Sequence, residues 1–329
     1  MSVNRFFDLA AITGEPPHGH QPSPATIKVL HWDNAATAHP IGFCMPFLIL
    51  GTRHQLDGFP VHRLLPHREH RRVGPFLLLD SFGPHPFSAG EGMQVPPHPH
   101  IGLATLTCLF QGELMHRDSL GSVQCLSPGA VNWMCAGRGI VHSERSPLHL
   151  ATQSHRLQGV QLWIALPEAQ AECEPVFVHL AVEDVPVLSM QDATIRLLAG
   201  SAWGRRSGLP DTSPMVAAVI DLPAGGAVRL PLPYAERALL LIEGDADVQQ
   251  MPMPAGALVV IDDGDEINLQ AHSDARLLCL AGDPVGSRYL WWNFVARDRE
   301  RIEQAKADWR EGRFGQIAGE AAPVPLPER

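Results

Sequence analysis

Two histidines, His98 and His100, stand two positions apart in the segment GMQVPPHPHIG and are the residues best suited to chemistry. Residues two apart on an extended chain point to the same side, so both imidazoles are expected to share one face. The same period places three apolar residues on that face and two threonines on the opposite face, namely Leu106, Cys108 and Phe110, and Thr105 and Thr107. We therefore expect the imidazoles to point into an apolar interior, where a neutral imidazole pair is an attractive metal site.

A second pair, His142 and Glu144, follows in the segment GRGIVHSE, after a tight Gly-Arg-Gly turn. These two side chains again share one face of a strand. Together the pairs offer three imidazoles and a carboxylate, a donor set that suits a divalent ion and leaves coordination positions open. Zinc with four closed ligands fits less well, because no thiolate is recruited. Either motif alone is weak, but their joint occurrence, with strands and glycine turns between them, predicts a metal centre.

The elements that position these residues are short apolar-alternating segments between turn signals, which predict an all-β fold. The segments CLFQGEL at 108–114 and LIEGDADV at 241–248 share the same order of features: an apolar strand, a polar residue, a glycine and then a returning chain. This similarity indicates an internal duplication of a β-barrel.

Four regions are expected along the 329 residues: an N-terminal extension over 1–57, a metal-binding barrel over 58–185, a second barrel over 186–295, and a helix with a tail over 296–329. Asp298 is expected to cap the helix and Gly312 to end it. Its apolar stripe indicates a helix docked on the protein rather than on a membrane surface.

The second barrel is expected to lack a metal site. Aligning the glycine turns places apolar residues where the two ligand pairs stand, Leu230 and Leu232 for the first pair and, within a residue or two, Leu269 and Ala271 for the second. A further polar cluster, His116, Arg117 and Asp118, is expected on a turn. It either lines the mouth of the pocket or is solvated at the surface, and solvation is the favoured interpretation.

Composition excludes several classes of function. A net charge of −10 without a sustained basic cluster disfavours direct binding of nucleic acid. No apolar run approaches the roughly 18 residues of a membrane span, and the N-terminus lacks a secretion signal, so we expect a cytoplasmic protein. Six scattered cysteines without a CxxC pair indicate free thiols rather than disulfides: Cys44, Cys108, Cys125, Cys135, Cys173 and Cys279.

Four runs along the chain resemble the pirin family: RRVGPFLLLDSFGP, HPHIG, QGELMHRDSLG and PGAVNWMCAGRGIVHSE. The similarity extends over roughly residues 60–295, and the segments WWNFV and DWREGRF resemble a bacterial branch. Pirins are bicupins, so the resemblance implies two jelly-roll (cupin) barrels. It also implies metal ligands at His98, His100, His142 and Glu144. The chain departs from the family at Ile101 and Ala104, where arginine and glutamate are common, and Ala104 is expected on the face of the histidines.

The resemblance implies one divalent ion per chain, Fe(II) foremost, with Ni, Cu, Mn or Zn as alternatives. It also implies a quercetinase-type dioxygenase that acts with O2 on a flavonol-like or other hydroxy-ketone substrate, with Glu144 as the catalytic proton acceptor. Two alternatives stay open. One is a non-catalytic, iron-dependent redox regulator that binds a protein partner, and the other is a barrel whose metal has no catalytic task. A monomer is expected, because a bicupin already packs one barrel against another.

Overall fold

A computed structural model describes five stretches of the chain: residues 30–32, 46–56, 59–261, 266–320 and 322–327. Cys44 and most of the predicted N-terminal extension lie outside these residues.

Strands dominate the described chain. Those of the first half are β1 (Leu30–Trp32), β2 (Phe47–Leu50), β3 (Thr52–Leu56), β4 (Phe59–Leu65), β5 (Phe76–Phe87), β6 (Gln94–His100), β7 (Leu103–Gln111), β8 (Leu114–Asp118), β9 (Val123–Leu126), β10 (Val131–Cys135), β11 (Ile140–Arg145), β12 (His155–Ala165) and β13 (Val176–Leu180).

The elements of the second half are β14 (Val187–Met190), β15 (Ala193–Ala202), β16 (Arg205–Arg206), β17 (Met215–Leu222), β18 (Ala227–Pro231), β19 (Glu236–Glu243), β20 (Ala246–Val248), β21 (Met251–Met253), β22 (Ala257–Ile261), β23 (Glu266–Ala271), β24 (Ala275–Gly282), β25 (Arg288–Trp291), β26 (Phe294–Ala296) and helix α1 (Arg299–Arg310). Short 3-10 turns cover Leu148–Leu150, Glu168–Gln170 and Val182–Asp184.

Two barrels with the same strand order follow one another along the chain. The first has a seven-stranded sheet, β13-β10-β7-β12-β5-β4-β3, and a four-stranded sheet, β6-β11-β8-β9. The second repeats this pattern as β2-β22-β19-β24-β17-β15-β14 and β18-β23-β20-β21. The predicted all-β architecture with two barrels is confirmed.

Equivalent glycines mark the duplication. Gly112 between β7 and β8 has φ +83°, and Gly244 between β19 and β20 has φ +88°. A Cβ atom would lie 2.1 Å from the Arg156 carbonyl oxygen at the first position and 2.2 Å from that of Asp274 at the second. Only glycine fits both the left-handed backbone and this close approach. The glycines in CLFQGEL and LIEGDADV therefore have the same structural role, a tight left-handed turn, in both barrels.

Each barrel completes its large sheet with a strand from the chain segment that precedes the other barrel. Strand β2, ahead of the first barrel, pairs with β22 of the second barrel, while β13, ahead of the second barrel, pairs with β10 of the first. The Phe47–Leu50 part of the predicted N-terminal extension thus belongs to the large sheet of the second barrel.

A hydrophobic core lies between the two large sheets, and we call it the inter-barrel core. It combines Leu106 and Trp133 of the first barrel with Leu240, Leu258 and Leu278 of the second. Each fully buried leucine contributes about 1.5–3 kcal/mol relative to an exposed one. The barrels are therefore joined by burial of apolar surface.

The predicted C-terminal helix is confirmed. Asp298 accepts a hydrogen bond from the backbone N–H of Arg301 at 2.8 Å, which caps α1. Ile302 and Trp309 lie on the buried stripe, and Gly312, at φ +68°, follows the end of the helix. Within the described stretches, no helix has the length and apolar character needed to cross a membrane.

Candidate metal centre

The three predicted imidazoles come from two neighbouring strands of the four-stranded sheet. In the antiparallel pairing of β6 with β11, His98 stands opposite His142, and His100 stands opposite Ile140. Side chains directly opposite each other share a face, as do residues two apart on one strand. The local sequence thus puts all three histidines on the inner face of the first barrel, and each is at most 6% exposed.

The three imidazole rings converge on one point. Ring centroids lie 4.3 Å apart for His98 and His142, and 5.0 Å apart for both pairs that include His100. One nitrogen from each ring can be chosen so that all lie within 4.8 Å of one another. The Nε2 atoms of His100 and His142 are 3.1 Å apart.

Main-chain carbonyls fix the outer nitrogens of two of the rings. His98 Nδ1 lies 2.9 Å from the Pro96 oxygen, and His100 Nδ1 lies 3.3 Å from the Asn293 oxygen. A carbonyl oxygen only accepts hydrogen bonds, so in each neutral ring Nδ1 carries the proton and Nε2 offers a lone pair. This is the usual way in which an outer contact orients a metal-binding histidine.

The donor set fits a divalent metal ion. Two nitrogens bound to one ion at about 2.0–2.1 Å lie roughly 3.0–3.4 Å apart, which matches the separation of the His100 and His142 Nε2 atoms. At this separation the His142 Nε2 atom either donates its proton to the His100 Nε2 atom or shares a cation with it. Three such imidazoles suit a transition-metal or zinc ion.

Burial keeps the three imidazoles uncharged. Loss of solvation lowers the pKa of His98 to about 4, against a small rise from the Pro96 carbonyl. It also lowers the pKa values of His100 and His142 well below the ordinary value, and neighbouring histidines add to that effect. The rings are therefore neutral at physiological pH, and a metal ion need not displace the second proton of an imidazolium.

Two family models match this chain. The one described as Pirin matches residues 58–164, and the one described as Pirin C-terminal cupin domain matches residues 217–315. The chain belongs to the pirin family. The predicted resemblance is confirmed, and the two barrels are those of a bicupin.

Relatives in sequence and structure cover most of this pirin. A pirin-like protein of Caulobacter vibrioides is 42% identical over 265 residues, which are 80% of this chain and 92% of the relative. The crystal structure of a quercetin 2,3-dioxygenase from Acinetobacter baumannii matches with a TM-score of 0.81 and 34% identity, over 86% of this chain and 95% of that one. The bacterial pirin YhhW of Escherichia coli, solved in complex with nickel(II), shares the fold (TM-score 0.59, 20% identity, 73% and 100% coverage).

Glu144 lies in the same barrel interior but faces a different partner. Both of its carboxylate oxygens accept from Gln161 Nε2 of β12, at 2.9 and 3.0 Å. The pairing of β11 with β6 shifts register between His142 and Glu144, so the strict two-residue period is broken there. Burial raises the pKa of Glu144, and the Gln161 hydrogen bond partly offsets the rise. Its role as a fourth ligand stays a prediction.

The interpretation of His116 and Asp118 as solvated surface residues is wrong. Both are buried on β8, and β8 pairs with β11 so that Asp118 stands opposite His142. His116 Nε2 lies 3.0 Å from a carboxylate oxygen of Asp118, and the His116 ring stacks on Phe177 at 4.2 Å. Only Arg117 between them points outward, as the alternation of a strand requires. The pair therefore belongs to the wall around the three histidines.

The expected continuation of the histidine face into β7 is also wrong. Ala104, Leu106 and Cys108 pack in the inter-barrel core, whereas Thr107 faces the barrel interior, 3.4 Å from Gln161 Nε2. The chain turns at Gly102, where φ is +67°, and β7 enters a different sheet from β6. A period of two does not survive such a turn. Ala104, where the resemblance implies a glutamate, thus faces the inter-barrel core and not the candidate metal centre.

The sequence analysis assigns no role to three further residues of the site. Gln161 holds Glu144, Trp163 meets the His100 ring edge to face at 5.1 Å, and Asn293 supplies the carbonyl for His100. For Gln161 a signal existed, because a polar residue at an inward position of an apolar strand indicates an interior partner. Asn293 lies in the WWNFV segment, but nothing in that segment indicates that its main-chain oxygen faces His100.

The interior of the second barrel is hydrophobic at the corresponding places. Strands β18 and β23 pair as β6 and β11 do, with Leu230 opposite Ile267. The predicted counterparts of the ligands all lie in one apolar cluster: Leu230, Leu232, Leu269 and Ala271. A single metal per chain stays a prediction.

Proposed function

We propose that this pirin holds one divalent metal ion with His98, His100 and His142, and that Glu144 is the fourth ligand. The observation that carries the proposal is the convergence of three buried, uncharged imidazoles on one point. Fe(II) is the proposed ion, with Ni, Cu, Mn and Zn as alternatives.

The proposed activity is that of a quercetinase-type dioxygenase acting with O2 on a flavonol-like or other hydroxy-ketone substrate. Its support is the similarity to the Acinetobacter baumannii quercetin 2,3-dioxygenase across most of both chains. A bound metal ion would act as a Lewis acid and lower the pKa of a substrate hydroxyl.

Glu144 is the proposed acceptor of the substrate hydroxyl proton. Burial raises its pKa, which makes its carboxylate a stronger base than an exposed one. Gln161 donates to both oxygens and holds the carboxylate in one orientation. The apolar and aromatic surroundings, including Trp163, limit water at the reacting atoms.

Metal content is the first test of the site. Elemental analysis of the purified full chain should find about one metal per chain, and the double variant His98→Ala/His142→Ala should lose it. His272→Ala is the matched control, because that residue lies outside the first barrel and pairs with Asp247 on the second. Equal metal in the wild type and the double variant contradicts the proposed ligands.

Activity is tested separately on metal-loaded protein. Anaerobically loaded protein is mixed with quercetin and oxygen, and carbon monoxide and the ring-opened product are measured. We expect turnover in the wild type and a loss of about 10²–10⁴-fold in Glu144→Gln. A wild type that binds metal but turns over quercetin no faster than free metal contradicts the dioxygenase for this substrate. It would then favour the alternative of a metal-dependent regulator with a protein partner.

A further inference from the structure

Two cysteines of the first barrel have their sulfur atoms in contact. Cys135 ends β10, Cys173 precedes β13, and their Sγ atoms are 3.7 Å apart. The backbone holds them there, because Cys135 pairs with Val176 across the β10–β13 ladder and the Arg138 N–H donates to the Cys173 oxygen at 3.0 Å. A Cβ on Gly137 would lie 2.1 Å from that oxygen, so only glycine permits this approach.

We propose that Cys135 and Cys173 form a redox-active dithiol that closes to a disulfide when the protein meets a peroxide, and that the disulfide clamps strand β13 onto the first barrel. The sulfur atoms must approach from contact to the bonded distance of about 2.05 Å, which rotation of the two side chains can supply. The backbone pairing already present makes a large rearrangement unnecessary.

The difference in exposure between the two cysteines determines the order in which they react. Cys173 is partly exposed, whereas Cys135 is buried and its thiol pKa is raised to about 12 by burial and by the neighbouring sulfur. Cys173 therefore meets the oxidant first, and Cys135 resolves the product. Burial raises the pKa of Cys108 and Cys279 to about 12, and burial with the Glu113 carboxylate raises that of Cys125 to about 11. These thiols are poor competitors.

The chemistry balances with one peroxide. The Cys173 thiol gives up its proton as its sulfur attacks one peroxide oxygen, the O–O bond breaks, and the sulfur is oxidised to a sulfenic acid. The hydroxide that leaves takes up the thiol proton and becomes the first water. The Cys135 sulfur then attacks the Cys173 sulfur, the S–S bond forms and the S–O bond breaks. The hydroxyl group takes up the Cys135 proton and leaves as water, so two thiols and one peroxide give a disulfide and two waters.

The clamp acts on a strand that borders the metal centre. Strand β13 is the edge of the seven-stranded sheet, and it carries Phe177, which stacks on His116, and His179, which contacts Asn132 at 2.8 Å. An edge strand is paired on one side only and opens more easily than a central one. Joining Cys173 to Cys135 fixes the start of β13 and reduces that opening.

The test uses the full chain, reduced and then freed of reductant. It is treated with hydrogen peroxide, alkylated with N-ethylmaleimide, digested and mapped by mass spectrometry, and amide exchange in 176–180 is followed before and after oxidation. We expect a peptide pair joined through Cys135 and Cys173, an intact mass lower by two hydrogen atoms, and exchange in β13 slowed several-fold.

Two variants control the result. Cys173→Ser should remove the cross-link and the slowing of exchange, while Cys125→Ser, a partly exposed thiol elsewhere in the same barrel, should keep both. Circular dichroism checks that each variant is folded. The proposal is overturned if Cys173 of the wild type is recovered only as a free thiol, as a sulfinic or sulfonic acid, or joined to another cysteine. It is equally overturned if the cross-link forms without slowing exchange in β13.

Discussion

His100 Nδ1 lies 3.3 Å from the main-chain oxygen of Asn293, a residue 193 positions further along the chain. Asn293 sits between β25 and β26, after both barrels, and β26 is anchored beside the site because the Val295 N–H donates to the Ile101 oxygen at 3.1 Å. The histidine cluster of the first barrel, the candidate metal centre, is therefore oriented by a segment that follows the second barrel. Metal binding should depend on how firmly that segment is held.

Trp292→Ala is expected to weaken metal binding as well as folding. Trp292 immediately precedes Asn293 and is buried. Its ring packs on Phe294 and Trp309, and this packing holds the backbone at Asn293 in place. The substitution should cost about 3–5 kcal/mol of unfolding free energy. Because it loosens an outer contact of a ligand, it should also lower metal affinity about 10–100-fold.

Trp309→Ala is the matched control for Trp292→Ala. It removes a tryptophan from the same apolar cluster, on α1, but leaves the chain on either side of Asn293 unchanged. We expect a similar loss in denaturant unfolding with a smaller loss of metal affinity in competition titrations. Equal losses of affinity in the two variants would show that general destabilisation, rather than the Asn293 contact, sets metal binding.

Acid should destabilise the metal-free protein through the histidine cluster. The pKa of His98 is lowered to about 4 by burial, so the unfolded chain binds a proton there at a higher pH than the folded chain does. The stability contributed by neutral His98 is present above the ordinary pKa of 6.5 and is lost as the pH falls from there to about 4. One such shift corresponds to about 3 kcal/mol.

Urea unfolding at a series of pH values checks this expectation. His98→Asn cannot take up that proton, so its unfolding free energy should fall less between pH 6.5 and 4 than that of the wild type. His149→Asn is the control, since the His149 side chain is 60% exposed. If wild type and His98→Asn lose stability in parallel on acidification, the buried imidazole is not the source.

The shared face of His98 and His100 was predictable because both lie on one continuous strand, where a spacing of two fixes the face. The spacing rule does not extend to His142 and Glu144, because the strand pairing shifts register between them. The resemblance to the pirin family then implied that the fold consists of two cupin barrels. The glycine turns of the two halves were equally visible, because Gly112 and Gly244 meet the same local constraint.

What failed depended on contacts between distant segments. The burial of His116 follows from the pairing of β8 with β11, and no local pattern in the sequence indicates that pairing. The face of Ala104 does not follow from the histidine spacing, because the turn at Gly102 moves the chain into another sheet. The Asn293 contact joins residues 193 positions apart, and no periodicity in the sequence indicates it.

Gln161→Leu should destabilise the metal-free protein more at high pH than at low pH. Burial raises the pKa of Glu144 and the Gln161 hydrogen bond partly lowers it, so loss of that bond raises the pKa further. A group with a raised folded pKa gives its full contribution below the ordinary value, and that contribution is lost as the pH rises through the folded pKa. The expected loss is about 1–3 kcal/mol at pH 8 and less at pH 4.5.

The double variant Gln161→Leu/Glu144→Gln isolates the charge in this effect. An amide at 144 has no charge to solvate, so most of the pH dependence introduced by Gln161→Leu should disappear. Thermal unfolding at both pH values gives the comparison. A loss that is the same at both pH values, or that persists in the double variant, would trace the effect to packing of leucine at 161.

Gly139→Ala tests the turn that leads into His142. Gly139 has φ +152°, and a Cβ there would lie 2.2 Å from Cδ1 of Phe314, which follows α1. The backbone and the aromatic ring both resist the substitution, and relief by movement of the turn would shift β11 and its ligands. We therefore expect losses of both stability and metal affinity.

Two comparisons separate the backbone contribution from the clash in Gly139→Ala. Gly121→Ala places a side chain at φ +89° with no atom within 4 Å, so it measures backbone strain alone, about 1–3 kcal/mol. Phe314→Ala removes the ring, and combining it with Gly139→Ala should cost at least about 1 kcal/mol less than the sum of the single losses. Strict additivity would mean that the ring does not oppose the new methyl group. The shift of β11, and with it the expected loss of metal affinity, would then have to come from the backbone of the turn itself.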